Sequence, residues 1–168
     1  VIDLSNKLAP LDSSIILHSP LTRAFESAEI LSSRLGIASS EQKSLTEFRN
    51  PPQIRGKAYD DPTADRLYKT WLQDLEKTEG LNSPDIENYI DLYRRAQSAL
   101  EKLLDRPEKN ILAVSHSELI RAIVGYVLIG DLHSPLKIRE TLQSLKIGNA
   151  QTAEIIYDDA KPGWRLVL

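Results

Sequence analysis

Three side chains in this 168-residue sequence stand where an α/β protein keeps its reactive groups, just after an apolar strand-like run. Arg23 follows Ser14-Ile15-Ile16-Leu17 and the loop His18-Ser19-Pro20, in the first turn of an amphipathic stretch. An arginine so placed offers a fixed fork of donors to a phosphate or carboxylate, beside the N–H groups of a helix start. Its ordinary alternative is to cap its own loop at the surface. His116 follows Ile111-Leu112-Ala113-Val114-Ser115, which sets an imidazole at the ligand-binding edge of a sheet or, equally, in a hydrogen bond to a neighbouring loop. Glu47, after Ser44-Leu45-Thr46, stands at what reads as another strand end, either in that site or as a solvated carboxylate. Beyond it Arg49, Arg55 and Lys57 make a locally basic segment that would draw an anionic substrate or remain solvated loop charge. His18 has the chemistry to be reactive, but a histidine leading into a helix more often packs or caps, and it is read that way.

The elements that must position these groups alternate along the chain. Ser14 to Leu17 predicts a buried strand, and Leu21, Ala24, Phe25, Ala28, Leu31 and Leu35 predict a helix closed by Gly36. A second unit pairs the apolar run 110–115, suited to a central parallel strand covered on both faces, with a helix from Leu119 to Ile129. Two longer helical patterns lie between, at Leu67–Leu75 and from Ile86 to Leu103, the latter opened by Ser83-Pro84-Asp85. Phe48 to Pro62, with three prolines, one glycine and no periodicity, predicts a covering loop. Ser134-Pro135 starts a last helix to about Leu145, and Thr152–Tyr157 with Trp164–Leu168 predict two strands joined around Lys161-Pro162-Gly163. Strand–helix alternation gives a single α/β domain over 1–168: a three-layer sandwich with a mainly parallel sheet and helices on both faces, its ligands beyond the carboxyl ends of the strands.

Composition narrows the chemistry. Hydrophobic residues are 41% and charged residues 27%, ordinary globular proportions. A net charge of −3 argues against nucleic acid or anionic lipid as partner, so any bound anion must meet a local site. With no cysteine and three histidines, a thiol nucleophile is impossible, and neither a metal nor another cofactor is expected. Neither a signal peptide nor a membrane span is evident, so a cytoplasmic location is expected. G-x-G-x-x-G, G-x-x-x-x-G-K-[ST] and G-x-S-x-G do not occur, which removes the main support for dinucleotide, P-loop and serine-hydrolase readings.

Taken together, the segments resemble the histidine phosphatase superfamily, the phosphoglycerate-mutase-like proteins. Ser19-Pro20-Leu21-Thr22-Arg23-Ala24, with Ser27-Ala28-Glu29 behind it, resembles that family's S-P-L-x-R-A…T-A-E stretch. Leu45-Thr46-Glu47 with Gly56 resembles its L-x-E…G segment, and Arg95 before Ala99-Leu100 and Leu103 resembles its R-v-x-x-x-L-x-x-L helix. Leu112 to His116, followed by Ile120-Arg121-Ala122, resembles v-l-v-V-S-H-g-x-x-i-R. The resemblance runs from about Asp3 to the final strand. It implies a phosphomonoesterase or phosphomutase working without cofactor on a small phosphorylated substrate through a phosphohistidine. Arg23 and His116 would then surround the phosphoryl oxygens, and Glu47 would protonate the leaving oxygen and later activate water.

The sequence departs from that family at two points. It contains no Arg-His-Gly, the motif that ends the family's first strand and carries the nucleophile, and the matching region begins within what would be the family's first helix. Family members usually have glycine where Ser117 and Glu118 stand. The expectation is therefore a chain with its first strand missing, N-terminally incomplete and inactive alone. The alternative is a pseudo-phosphatase that keeps the pocket as an anion-binding or interaction module.

Overall fold

The computed structural model of the chain describes residues 2–8, 13–57, 61–77, 79–81 and 83–167. The turn residues Pro10 and Asp12, residues 58–60 of the covering loop, and Leu168 lie outside them. In chain order the elements are α1 (Ile2–Leu8), β1 (Ile15–His18), α2 (Thr22–Leu35), β2 (Ser39–Glu41), α3 (Pro62–Leu75) and α4 (Tyr89–Leu104). There follow β3 (Ile111–Val114), α5 (Ser117–Ile129), α6 (Pro135–Ser144), β4 (Glu154–Tyr157) and β5 (Trp164–Val167).

The first three strands form a parallel sheet in the order β2-β1-β3, with Leu17 opposite Ala113 and His18 opposite both Val114 and Glu41. Because side chains alternate across a strand, β1 feeds two cores. Leu17 is fully buried in one face with Leu92, Leu100, Leu119, Ile138 and Leu142 of α4, α5 and α6. Ile16 is buried in the other with Leu8, Ala28 and Leu31 of α1 and α2, where Leu112 and Val114 join it. These are the three expected layers. α5 lies close against α6 because residue 125 is glycine; a Cβ there would stand 2.9 Å from Thr141 Cγ2. β4 and β5 form an antiparallel hairpin whose Ile155 and Trp164 pack on the α4–α6 side.

Three expectations need correction. β3 was expected at the centre of the sheet, yet among the described residues it pairs only with β1, and its other edge carries no ladder. The strand end expected at Ser44-Leu45-Thr46 is a 3-10 turn over Lys43–Leu45, because β2 has already ended at Glu41 and the chain must bend to bury Leu45. The helix expected to open at Ser83-Pro84-Asp85 opens at Asn88 instead. There the Asn88 side chain accepts from the Asp91 N–H, and the Asp91 carboxylate accepts from the Asn88 N–H, a closed capping box. Ser83 Oγ caps only a local turn, accepting from Asp85 N–H. Pro84 and Glu87 are drawn out of helical register by bonds to Arg49.

The start of α4 is therefore fixed by Asn88, which is fully buried and also donates through Nδ2 to the Glu79 carbonyl at 2.7 Å. Replacing it with alanine removes a cap and strands buried polar groups. Urea unfolding should show Asn88→Ala less stable by about 1–2 kcal/mol, and Ser83→Ala within about 0.5 kcal/mol of the parent.

Candidate active site

All three parallel strands end on one edge of the sheet, and the loops leaving them carry Arg23, Glu47 and His116. Backbone bonds lock the loops together: Ser19 N–H donates to the Val114 carbonyl at 3.0 Å and Gln42 N–H to the His18 carbonyl at 2.8 Å. Ser115 Oγ donates to the Leu45 carbonyl at 2.8 Å, tying the end of β3 to the turn before Glu47. Two helices also begin at this edge, α2 at Thr22 and α5 at Ser117, and the residue before each makes no side-chain cap bond. The positive dipole ends of both helices thus face this edge without a side-chain cap.

His116 is buried at 6% exposure, and its Nε2 lies 2.8 Å from the hydroxyl of the fully buried Ser19. Ser19 Oγ already accepts from Leu21 N–H at 3.3 Å, so its own proton is free to point at the imidazole. Burial, then the positive charges of Arg23 and Arg95, pull the His116 pKa down to about 4. At neutral pH the ring is therefore uncharged. Arg23, by contrast, is exposed, on the solvent side of the same site.

Glu47 is half-buried, and one of its carboxylate oxygens accepts from Phe48 N–H at 2.9 Å. Its position is set by Arg95 from α4, whose guanidinium donates to the carbonyls of Ser44 at 3.1 Å, Thr46 at 2.5 Å and Glu47 at 3.3 Å. The rest of that guanidinium holds Glu87 through Nε at 2.6 Å and Nη2 at 2.7 Å. Burial pushes the Glu87 carboxyl up, but the bonds and charge of Arg95, then of Arg49, outweigh it and hold the group below its ordinary range.

The basic loop residues fall elsewhere. Arg49 spends Nη2 on Glu87 at 2.8 Å and Nη1 on the Pro84 carbonyl at 3.0 Å. Arg55 donates to the backbone carbonyls of Asn50 and Asp85. Lys57 lies 4.0 Å from Asp61 and is exposed. Arg49 and Arg55 thus tie this loop to the segment that leads into α4. His18 is buried, donates from Nδ1 to the Ser19 carbonyl at 2.9 Å and meets the Phe25 ring at 5.5 Å, the packing role read for it. The sequence places Ser19 in the loop after the first strand but gives it no role beside His116, and nothing local marks Glu87.

The chain matches the model of the histidine phosphatase superfamily (branch 1) over residues 3–167. The chain belongs to the histidine phosphatase superfamily. The same fold occurs in YhfR of Bacillus stearothermophilus, with TM-score 0.74 and 19% identity over 98% of this chain and 77% of that one. It occurs in a mycobacterial glucosyl-3-phosphoglycerate phosphatase complexed with inorganic phosphate, with TM-score 0.70 and 20% identity over 99% and 81% of the two chains. It occurs again in the alpha-ribazole phosphatase of Shigella flexneri, with TM-score 0.69 and 18% identity over 99% and 80%. A "nucleotide-binding protein" of Finegoldia magna is 28% identical over 91 residues, 54% of this chain, and the chain spans 32% of that protein's length. Among the described residues no helix is long and apolar enough to cross a membrane.

The buried, neutral imidazole has a consequence for stability. Its folded pKa of about 4 lies below its ordinary 6.5, so the unfolded chain binds the extra proton first. The resulting stability is complete above about pH 6.5 and is lost as pH falls toward 4. Denaturant unfolding at about pH 7.5 and about pH 5 should differ by about 2 kcal/mol from this group. His116→Asn should lose that part of the pH dependence.

Proposed function

We propose that this superfamily member carries the phosphate-binding and acid–base groups of a phosphomonoester hydrolase that acts on a small phosphorylated substrate through a phosphohistidine. One observation carries the proposal. Arg23, His116 and the Glu47 turn leave the carboxyl ends of three adjacent parallel strands, with two helix N-termini converging on the same edge and Arg23 close enough to depress the His116 pKa. Such an edge suits a phosphoryl group. The guanidinium of Arg23 meets its equatorial oxygens, and His116 takes up a proton as the anion enters and becomes a second charged donor. Glu47, held from behind by Arg95, is the acid that protonates the leaving oxygen and the base that then activates water.

What these residues do not supply is attack at phosphorus. His18 is committed to the Ser19 carbonyl and the Phe25 ring, and Ser19 is fully buried beneath His116. The unpaired edge of β3 is the natural seat for a further parallel strand that would bring an Arg-His-Gly nucleophile beside His116. Its apolar residues Ile111, Leu112 and Val114 suit a strand with neighbours on both sides. The reading of the site as an anion-binding module without turnover draws its support from the same absence of a nucleophile among the described residues.

The test separates the two. The 168-residue chain alone should bind phosphate weakly, form no phosphohistidine and hydrolyse no p-nitrophenyl phosphate. Joined to an upstream strand bearing Arg-His-Gly, it should gain both activities. In that active protein Glu47→Gln should slow poor leaving groups by roughly 10²–10⁴-fold and good ones much less, because only the former need the proton. His116→Ala should cut turnover for every substrate. Equal activity of the short chain, abolished by His18→Ala, would instead make His18 the nucleophile.

A further inference from the structure

Beside the strand-end site is a cavity of about 470 Å³ that neither Arg23 nor His116 lines. Its volume falls in the range of small-ligand pockets. It begins at Phe48 and Glu118, one residue after Glu47 and two after His116, and the charge of Glu47 reaches the Glu118 carboxyl. A phosphate ester seated with its leaving oxygen at Glu47 therefore has this cavity as the nearest space for its organic group.

The walls of the cavity are aromatic. Phe48 lies 5.4 Å from Trp71 and is stacked on Tyr89 at 5.9 Å and 22°, while Tyr68 meets Trp71 at 5.9 Å. Trp71 is fixed by an Nε1 bond to the Glu87 carbonyl at 3.0 Å, the residue that also anchors the Glu47 turn through Arg95. At the rim Tyr68 and Leu72 are 45% and 40% exposed, leaving an entrance of apolar side chains.

Its charges are already balanced. Arg121 donates to Glu118 at 2.6 Å, and Arg139 is paired with Glu76. Among the described residues that line the cavity no unpaired cation is left for a second acidic group, and a substrate carboxylate or second phosphate would enter beside Glu76 and Glu118. The Nε–H groups of Arg121 and Arg139 are nevertheless buried without a hydrogen-bond partner among the described residues. Those two donors suit neutral acceptor oxygens.

We propose that this cavity is the leaving-group subsite and that it selects monophosphate esters of uncharged, ring-bearing alcohols or phenols over phosphorylated acids and bisphosphates. This rests on the phosphoryl reading of Arg23 and His116. The ring lies against Phe48, Tyr68 and Trp71, whose faces give it apolar and quadrupolar contact that a flexible polyol cannot match.

Binding to the 168-residue chain tests it without turnover. Trp71 fluorescence, in a Trp164→Phe background, is titrated with inorganic phosphate, phenyl phosphate, glycerol 3-phosphate and 3-phosphoglycerate. Phenyl phosphate should bind roughly tenfold more tightly than inorganic phosphate, the factor expected for part of one buried ring. Glycerol 3-phosphate should match inorganic phosphate, 3-phosphoglycerate should bind more weakly, and Tyr68→Ala with Leu72→Ala should erase the preference for the ring. Arg23→Ala should weaken every anion. Phosphate binding that depends on Arg23 but shows no preference for the ring, or favours 3-phosphoglycerate, would overturn the subsite and leave the phosphoryl site standing. Indifference of all four ligands to Arg23→Ala would overturn the phosphoryl site itself.

Discussion

Glu87 is a carboxylate with no exposed surface, and the strand-end edge of the candidate site is organised around keeping it paired. A buried charge that loses its partner costs about 3–5 kcal/mol, so the chain around it is held firmly. Arg95 reaches Glu87, which lies just before α4, from the second turn of that helix, and Arg49 reaches it from the loop that follows Glu47. The same guanidinium of Arg95 gathers the carbonyls of Ser44, Thr46 and Glu47. One ion cluster therefore joins a helix to the short 3-10 turn and the loop after it. It sets where Glu47 stands relative to the ends of the strands. Trp71, bonded to the Glu87 carbonyl, extends the same anchor to α3 and the aromatic cavity.

The second constraint is the parallel sheet. Parallel strands put their carboxyl ends on one edge, so residues as distant in sequence as Ser19 and His116 come within 2.8 Å. The burial that follows removes water from the imidazole and keeps it neutral between Arg23 and Arg95. On the proposed function, such a site would meet an anion with its imidazole still neutral. Proton uptake on binding would then complete the donor set only when the substrate is present.

Much of this was legible in the sequence because it is carried by short-range pattern. The apolar runs at 14–17 and 110–115 and the helix periods behind them are local, and so is the position of Arg23 and His116 just after strands. The parts that were not legible depend on contacts across the chain. Arg49 and Arg55 read as free loop charges; their partners Glu87, Pro84 and Asp85 lie about thirty or more residues away. Ser83-Pro84-Asp85 has every local mark of a helix start, yet the buried capping box of Asn88 and Asp91 wins because it satisfies buried groups. The apolar character of β3 speaks for a central strand, and among the described residues that strand has a partner on one side only, so the run alone does not report how many strands pair with it.

The central claim is that Arg23 and His116 form one anion site whose imidazole is neutral when empty and charged when filled. Nitrogen-15 spectra of the His116 ring, recorded against pH with and without sulfate, test it most directly. The imidazole should titrate near 4 alone, move upward by at least about one unit when sulfate is bound, and lose that movement in Arg23→Ala. A His116 ring that titrates near its ordinary 6.5 without sulfate, or does not respond to the anion, would contradict the account.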